Sequence, residues 1–281
     1  MKKPIKNKGW EIHHREKLIY QTNSGNPVMR LKFFQYPTYR QTVIINKPPA
    51  QCKLKTKGHN SYFVFQHKVG TKGIISLDRI ITVIPILSYF NLDDNLGAIS
   101  NFPEILQKKY QQSSKYWHLN SEIFQDFSKE EWFKIDDLSE WIKSINFFIK
   151  GILKYREKQE KRLGANQAFL TRTGDCDEFT DLFVTITRMR GIPCRRLTGF
   201  FIRQNNTNIE AHAWGEILSP LRGWIPIDIA LNNLGNHTLN YVVLKIEEFN
   251  PALPDYQIQT IHPSKVHYKW ELPDPLISYV E

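Results

Sequence analysis

Three patterns predict an α+β fold. Short strand-like runs punctuated by Gly, Pro and Asn fill the region before Pro85, amphipathic helical stripes begin near Pro103, and strand-like patterning returns around residues 211–228. The first pattern predicts an all-β, sandwich-like domain over residues 1–98, and the other two a mixed domain over 99–281. A chain of 281 residues with 41% hydrophobic and 13% aromatic content is large enough to bury such cores.

In the first domain, strands are expected at 17–21 and 28–33, joined by a turn over 23–27, and then at 42–46, 62–67 and 74–84. Asp93-Asp94-Asn95-Leu96-Gly97 lacks the ligand ladder and closing glutamate of a calcium loop, so it reads as a solvated linker turn. Beyond it, Leu138, Trp141, Ile142, Ile145, Phe148, Ile149 and Ile152 recur at spacings of three and four, the stripe of a core-facing helix. Residues 157–162 read as a charged, solvated helix end. A further strand is expected at 241–246, and from Pro251 a proline-rich tail that wraps the surface.

The chemistry is expected where Thr173-Gly174-Asp175-Cys176-Asp177-Glu178-Phe179 enters an amphipathic helix. Asp175 reads as the N-cap and Glu178 as its capping-box partner, with Gly174 allowing a sharp turn. Phe179, Leu182, Phe183, Ile186 and Met189 form the buried stripe, and Gly191 and Pro193 end the helix. Cys176 is thereby placed at a helix N-terminus, which favours a thiolate. A free cysteine titrates near about 8.5, so a thiolate at neutral pH needs its pKa lowered by roughly 1.5, worth about 2 kcal/mol. A helix dipole supplies only about 0.3–1 kcal/mol, and three neighbouring acids oppose it. A cationic partner is required, and in nucleophilic cysteine sites it is usually an imidazolium oriented by a third group.

Ala211-His212-Ala213-Trp214-Gly215-Glu216 and Trp224-Ile225-Pro226-Ile227-Asp228 read as two strands of a hairpin. Centred on Pro220, the hairpin puts His212 directly opposite Asp228 on one face, within reach of a hydrogen bond. A slip of one residue would send them to opposite faces.

Together, Gly174-Asp175-Cys176, Gly191-Ile192-Pro193-Cys194-Arg195, His212-Ala213-Trp214, Trp224 and Asp228 resemble the transglutaminase-like superfamily of cysteine enzymes, in a bacterial-type form. The resemblance spans roughly residues 105–232, with Cys194 standing where a small residue is usual. It implies a papain-like core, in which the cysteine helix packs on an antiparallel sheet carrying the histidine and aspartate. Cys176 would be the nucleophile, His212 the proton acceptor and Asp228 its orienting group. The Cys176 N–H is the natural first oxyanion donor. Papain-like enzymes often add an upstream glutamine, for which Gln167 is the nearest candidate; a surface glutamine is the alternative reading. The implied function is thiol-dependent amide-bond chemistry through an acyl-enzyme, as a cysteine peptidase or amidase. Protein-glutamine transamidation and a non-catalytic binding protein on the same fold are the alternatives.

Cys52, Cys176 and Cys194 are too few and scattered for a disulfide framework and lack metal-ligand spacing, so no metal or cofactor is expected. No signal peptide or apolar span is recognised, and a cytoplasmic location is expected. Asn205-Asn206-Thr207 and Asn236-His237-Thr238 would be glycosylation sites only in a secreted eukaryotic protein. The net charge of +10 is concentrated in residues 1–100, which hold 16 Lys and Arg against 5 Asp and Glu. Beside a peptide or protein substrate, a polyanion contact through this basic region is therefore expected.

Overall fold

The structure, a computed structural model, describes residues 8–23, 27–157, 161–203, 209–249, 256–261 and 266–280. The sequon at Asn205 lies outside them, as do parts of the turn expected over 23–27 and the helix end expected over 157–162. Strands of the first 85 residues are β1 (Gly9–His14), β2 (Lys17–Thr22), β3 (Val28–Gln35), β4 (Gln41–Lys47), β5 (Cys52–Lys57), β6 (Asn60–Lys68), β7 (Lys72–Ser76) and β8 (Arg79–Pro85). The middle of the chain supplies α1 (Glu104–Tyr110), α2 (Leu138–Ile152), α3 (Ala165–Thr171) and α4 (Cys176–Met189), then β9 (Cys194–Ile202), β10 (Ile209–Ser219), β11 (Gly223–Asp228) and β12 (Tyr241–Glu247). The chain closes with β13 (Tyr256–Ile261), β14 (Val266–Glu271) and β15 (Leu276–Val280). Among the described residues, no helix is long and apolar enough to cross a membrane.

Beyond Pro251 the described residues run largely as strands rather than as a wrapping tail. β13 pairs with β3, β14 with β2 and β15 with β1, all antiparallel, so the chain returns along its first three strands in reverse order. The sheets are β15-β1-β8-β4, β13-β3-β6-β5 and β14-β2-β7. Residues 256–280, expected in the second domain, thus complete sheets begun by the first. Leu18 and Tyr20 of β2 meet Met29, Leu31 and Phe33 of β3 and Phe63 and Phe65 of β6 in one core, which is the sandwich.

The run expected as a single strand over 74–84 breaks at Leu77-Asp78, where the chain changes sheet, just as Arg15-Glu16 separates β1 from β2. The two crossovers are joined. Arg79 donates to both Glu16 oxygens at 2.9 and 3.1 Å, and the Leu77 N–H donates to the Glu16 carbonyl at 2.9 Å. Glu16 and Arg79 are each only 3% exposed, so the pair must offset its own desolvation.

Behind this sandwich lies an antiparallel sheet in the order Asn233–Leu234, β11, β10, β9, β12. Phe179, Leu182, Phe183 and Ile186 of α4 pack with Ile217, Ile225 and Ile227 on one face, together with Trp141 and Ile145 of α2. Gly215 permits this contact, because a Cβ there would lie 2.6 Å from the Phe183 ring. The outer edge of β12 is sealed by two amide side chains. Gln41 exchanges bonds of 2.9 and 2.7 Å with the Val243 main chain, and Asn60 exchanges two of 2.8 Å with Ile246. These satisfy backbone groups that would otherwise form an open edge.

Arg79→Ala strands a buried carboxylate and is expected to cost about 3–5 kcal/mol in urea melts, with most of the loss recovered by Glu16→Met combined with Arg79→Met. An unchanged midpoint in Arg79→Ala would contradict this reading of the crossovers. A chain ending at residue 249 leaves β1, β2 and β3 each short of a partner. It is expected to aggregate on purification, and a monomer with the full-length melting temperature would contradict the shared-sheet account.

Candidate active site

The local sequence explains how Cys176 is presented. Thr173-Gly174 runs parallel to Lys154-Tyr155, and the chain then turns into α4 with Asp175 in extended conformation as the N-cap. The Asp175 carboxylate accepts the Asp177 N–H at 2.8 Å, and the Asp175 N–H donates to Glu178 at 3.2 Å, completing the expected capping box. Glu178 also accepts the Leu163 N–H at 2.8 Å and lies directly over Gly174, where a Cβ would come within 2.2 Å of the Glu178 Cβ. The glycine is therefore a packing requirement of the cap.

His212 and Asp228 are brought together, although not in the expected register. Ser219 pairs with Gly223 and Gly215 with Ile227, so the hairpin is centred on Leu221 rather than Pro220. His212 and Asp228 are diagonal neighbours instead of directly opposed. The displacement of two residues keeps both on one face, because side chains alternate with period two. His212 Nε2 lies 2.7 Å from Asp228 Oδ2, with the two residues 7% and 2% exposed. Pairing between β10 and β11 ends at Gly215, leaving the stretch of β10 that contains His212 open towards the start of α4. The Ala213 main chain hydrogen-bonds the Cys176 sulfur, and the Ala213 carbonyl accepts the Thr180 hydroxyl at 3.0 Å. The cysteine thus abuts the residue that follows His212.

Asp228 is itself held from three directions. Besides the imidazole, it accepts the Tyr241 hydroxyl at 2.8 Å and the Leu231 N–H at 3.0 Å, while Asn233 donates to the Tyr241 oxygen at 2.9 Å. Trp214 stacks on the imidazole with centroids 6.0 Å apart. Tyr241 and Asn233 were not legible as site residues, since one falls in an ordinary apolar strand pattern and the other in a turn.

The sulfur is not in the electrostatic state expected of a helix start. Burial, Asp177 and Asp175 push the Cys176 thiol up to about 12, against the Ala213 bond and the Arg196 charge. Burial similarly pushes Cys52 up to about 11 and Cys194 up to about 12. What separates Cys176 from them is therefore its place at a helix start against Ala213, the residue that follows His212. Arg196, on β9, pairs with Asp177, with Asp181 at 3.2 Å and with Glu247 at 2.9 Å. Arg162 joins the cluster through Asp181 at 2.6 Å and Glu247 at 3.0 Å, and the Trp117 indole donates to Asp181 at 2.8 Å. The sequence places Arg162 in a solvated helix end, whereas the structure leaves its side chain 12% exposed within this cluster.

Gln167 is exposed on α3, and no hydrogen bond from its side chain reaches the site among the described residues. Among those residues, one group of possible metal ligands lies close together, namely Asp175, Cys176 and Asp177. The Asp175 carboxylate is committed to the helix cap and that of Asp177 to Arg196.

Residues 118–229 match the family described as the transglutaminase-like superfamily. A candidate cysteine protease from Cytophaga hutchinsonii has a similar structure, with a TM-score of 0.58 at 15% identity over 96% of this chain and 98% of its own. The periplasmic domain of TgpA from Pseudomonas aeruginosa aligns with a TM-score of 0.42 at 11% identity, over 82% of this chain and 91% of that one. No curated protein matches the chain at a significant level. Over residues 118–229 the fold is transglutaminase-like, and a β-rich region precedes it.

The cap has a pH signature. Burial, opposed by the Leu163 N–H and reinforced by Asp175, raises the Glu178 carboxyl from 4.5 to about 7. The folded state then holds a proton that the unfolded chain has lost, so stability falls as pH rises from about 4.5 to about 7. Glu178→Gln is expected to flatten that part of the stability–pH curve; an identical slope in both proteins would contradict the assignment.

Proposed function

We propose that this chain, whose residues 118–229 match the transglutaminase-like superfamily, is a thiol-dependent enzyme acting on amide bonds, with cysteine-peptidase or amidase hydrolysis as its default reaction. The buried His212–Asp228 pair at 2.7 Å, together with a helix-start cysteine whose sulfur is bonded by the residue after His212, carries the reading. Asp228 can only accept, so it fixes the imidazole proton on Nε2 and leaves Nδ1 as the basic nitrogen. As the Cys176 sulfur attacks a carbonyl carbon, its proton passes to Nδ1. The resulting oxyanion is received by main-chain donors at the start of α4, led by the Cys176 N–H. The imidazolium returns the proton to the departing amine, giving a thioester. Water then attacks the thioester, its proton passes through His212 to the leaving sulfur, and the acid is released. With the thiol strongly favoured at rest, the base must act during attack instead of relying on a stored thiolate.

Hydrolysis and transamidation share the thioester and differ in the acceptor. Water, at tens of molar, prevails unless a site excludes it and admits an amine.

Mass mapping after treatment with iodoacetamide at neutral pH is expected to show Cys176 modified faster than Cys52 and Cys194, with His212→Ala slowing Cys176 roughly a hundredfold. Equal rates at the three thiols would reject the nucleophile. On a peptide library containing glutamine and supplied with a primary amine, free acid is expected to exceed amine adduct. An excess of adduct would replace hydrolase with transamidase, and neither product would favour a binding protein.

A further inference from the structure

From Lys17 to Leu77 the chain contains ten Lys and Arg and no Asp or Glu. The pairing registers show where many of them go. Lys53, Lys55 and Lys57 of β5 stand opposite Val64, Tyr62 and Asn60 of β6, while Lys32 and Arg30 of β3 stand opposite Val64 and Gln66. Directly opposed residues share a face, so five cations lie on one side of a single sheet, the side away from the sandwich core. Lys68 at the end of β6 extends the set, and β13 contributes Gln257 and Gln259 opposite Lys32 and Arg30. Arg30, Lys32, Gln257 and Gln259 line a shallow hollow there. None of these strands places an acid on the face. Lys32 registers the crowding, because burial and then the charges of Lys57 and Arg30 lower its pKa.

β5 is the last strand of its sheet, is exposed along almost its whole length, and has no partner on its outer edge among the described residues. Lysines on an edge strand can serve simply to prevent self-association. That role would not require Arg30 and Lys32 on an interior strand, where like charges are held together at a cost. We propose that this face and the open edge of β5 bind an extended acidic polypeptide segment, added as a strand beside β5 with alternate carboxylates over Lys53, Lys55 and Lys57.

The spacing suits such a partner, since alternate side chains of an extended chain repeat every ~7 Å, as they do in β5. Single-stranded nucleic acid calls for exposed aromatic platforms, whereas the rings on this face, Phe34 and Tyr62, are 4% and 6% exposed. Insertion into a membrane surface calls for exposed apolar side chains, and none of the large ones lies here. Preference for a polypeptide over other polyanions rests on the amide-bond reading above. Through Asn60 and Ile246 the sheet is joined to the edge of the one carrying His212, so a captured chain is held on the same body as the candidate site.

Fluorescence anisotropy with the full chain carrying Cys176→Ala tests the proposal without turnover. The probe is a labelled peptide alternating glutamate and threonine; a glutamine–threonine peptide, an N-methylated version, oligodeoxythymidine and phosphatidylglycerol vesicles are the comparisons. Binding is expected for the glutamate peptide alone, weakening with added salt, lost on N-methylation of alternate amides, and reduced roughly tenfold or more by Lys53→Glu, Lys55→Glu and Lys57→Glu together. No binding, equal binding of the glutamine peptide, preference for the oligonucleotide or vesicles, or indifference to charge reversal or N-methylation would overturn it. Failure of the amide-bond reading would show separately, in the labelling of Cys176.

Discussion

The first turn of α4 is tied to the sheet by one guanidinium. Arg196 reaches from β9 to Asp177, the residue after the candidate nucleophile, and to Asp181 one turn on, while Glu247, Arg162 and Lys245 complete the charge balance beneath the helix. Removing Arg196 would strip Asp177 of its guanidinium partner and leave Asp181 and Glu247 to share Arg162, the costly way of weakening such a cluster. With it in place, the position of Cys176 against Ala213 follows from rigid elements: a helix start fixed at Asp177, a Phe183 ring seated on Gly215, and a strand whose far edge is paired with β9.

The same cluster sets the chemistry of the sulfur. Asp177 docks the helix and also opposes a thiolate, and the Arg196 charge that could have favoured one is shared among three carboxylates. A thiol kept protonated in the resting site is less exposed to adventitious oxidation, whose rate follows thiolate character. In the proposed reaction it places the demand on His212, whose orientation depends on Asp228, and Asp228 on Tyr241 and Leu231 in turn. The β-rich region contributes support at the opposite edge, where Gln41 and Asn60 act as single-residue substitutes for a neighbouring strand.

The sequence revealed most where structure is local. The capping box, the stripe from Phe179 to Ile186 and the end of α4 involve residues within a few positions of one another, and all appear as expected. For His212 and Asp228 the face was legible and the register was not, because a turn that shifts pairing by two residues leaves alternation intact. The C-terminal strands were hidden for a different reason. β13, β14 and β15 find their partners at the other end of the chain, and no window of sequence contains both. Nor does residue type disclose burial of charge. Arg162 lies in a charged run that reads as surface, yet it is drawn in by two acids far from it in sequence. Gln167 was suggested only by resemblance, and the structure leaves it exposed.

The central claim is that Cys176, His212 and Asp228 act as one unit, with Asp228 working only through the imidazole. A double-mutant cycle on the alkylation rate of Cys176 tests this most directly, using His212→Ala, Asp228→Asn and the two combined. The account predicts that each single change slows the reaction and that the double variant is no slower than His212→Ala. Slowing in the double variant equal to the product of the two single effects would contradict it.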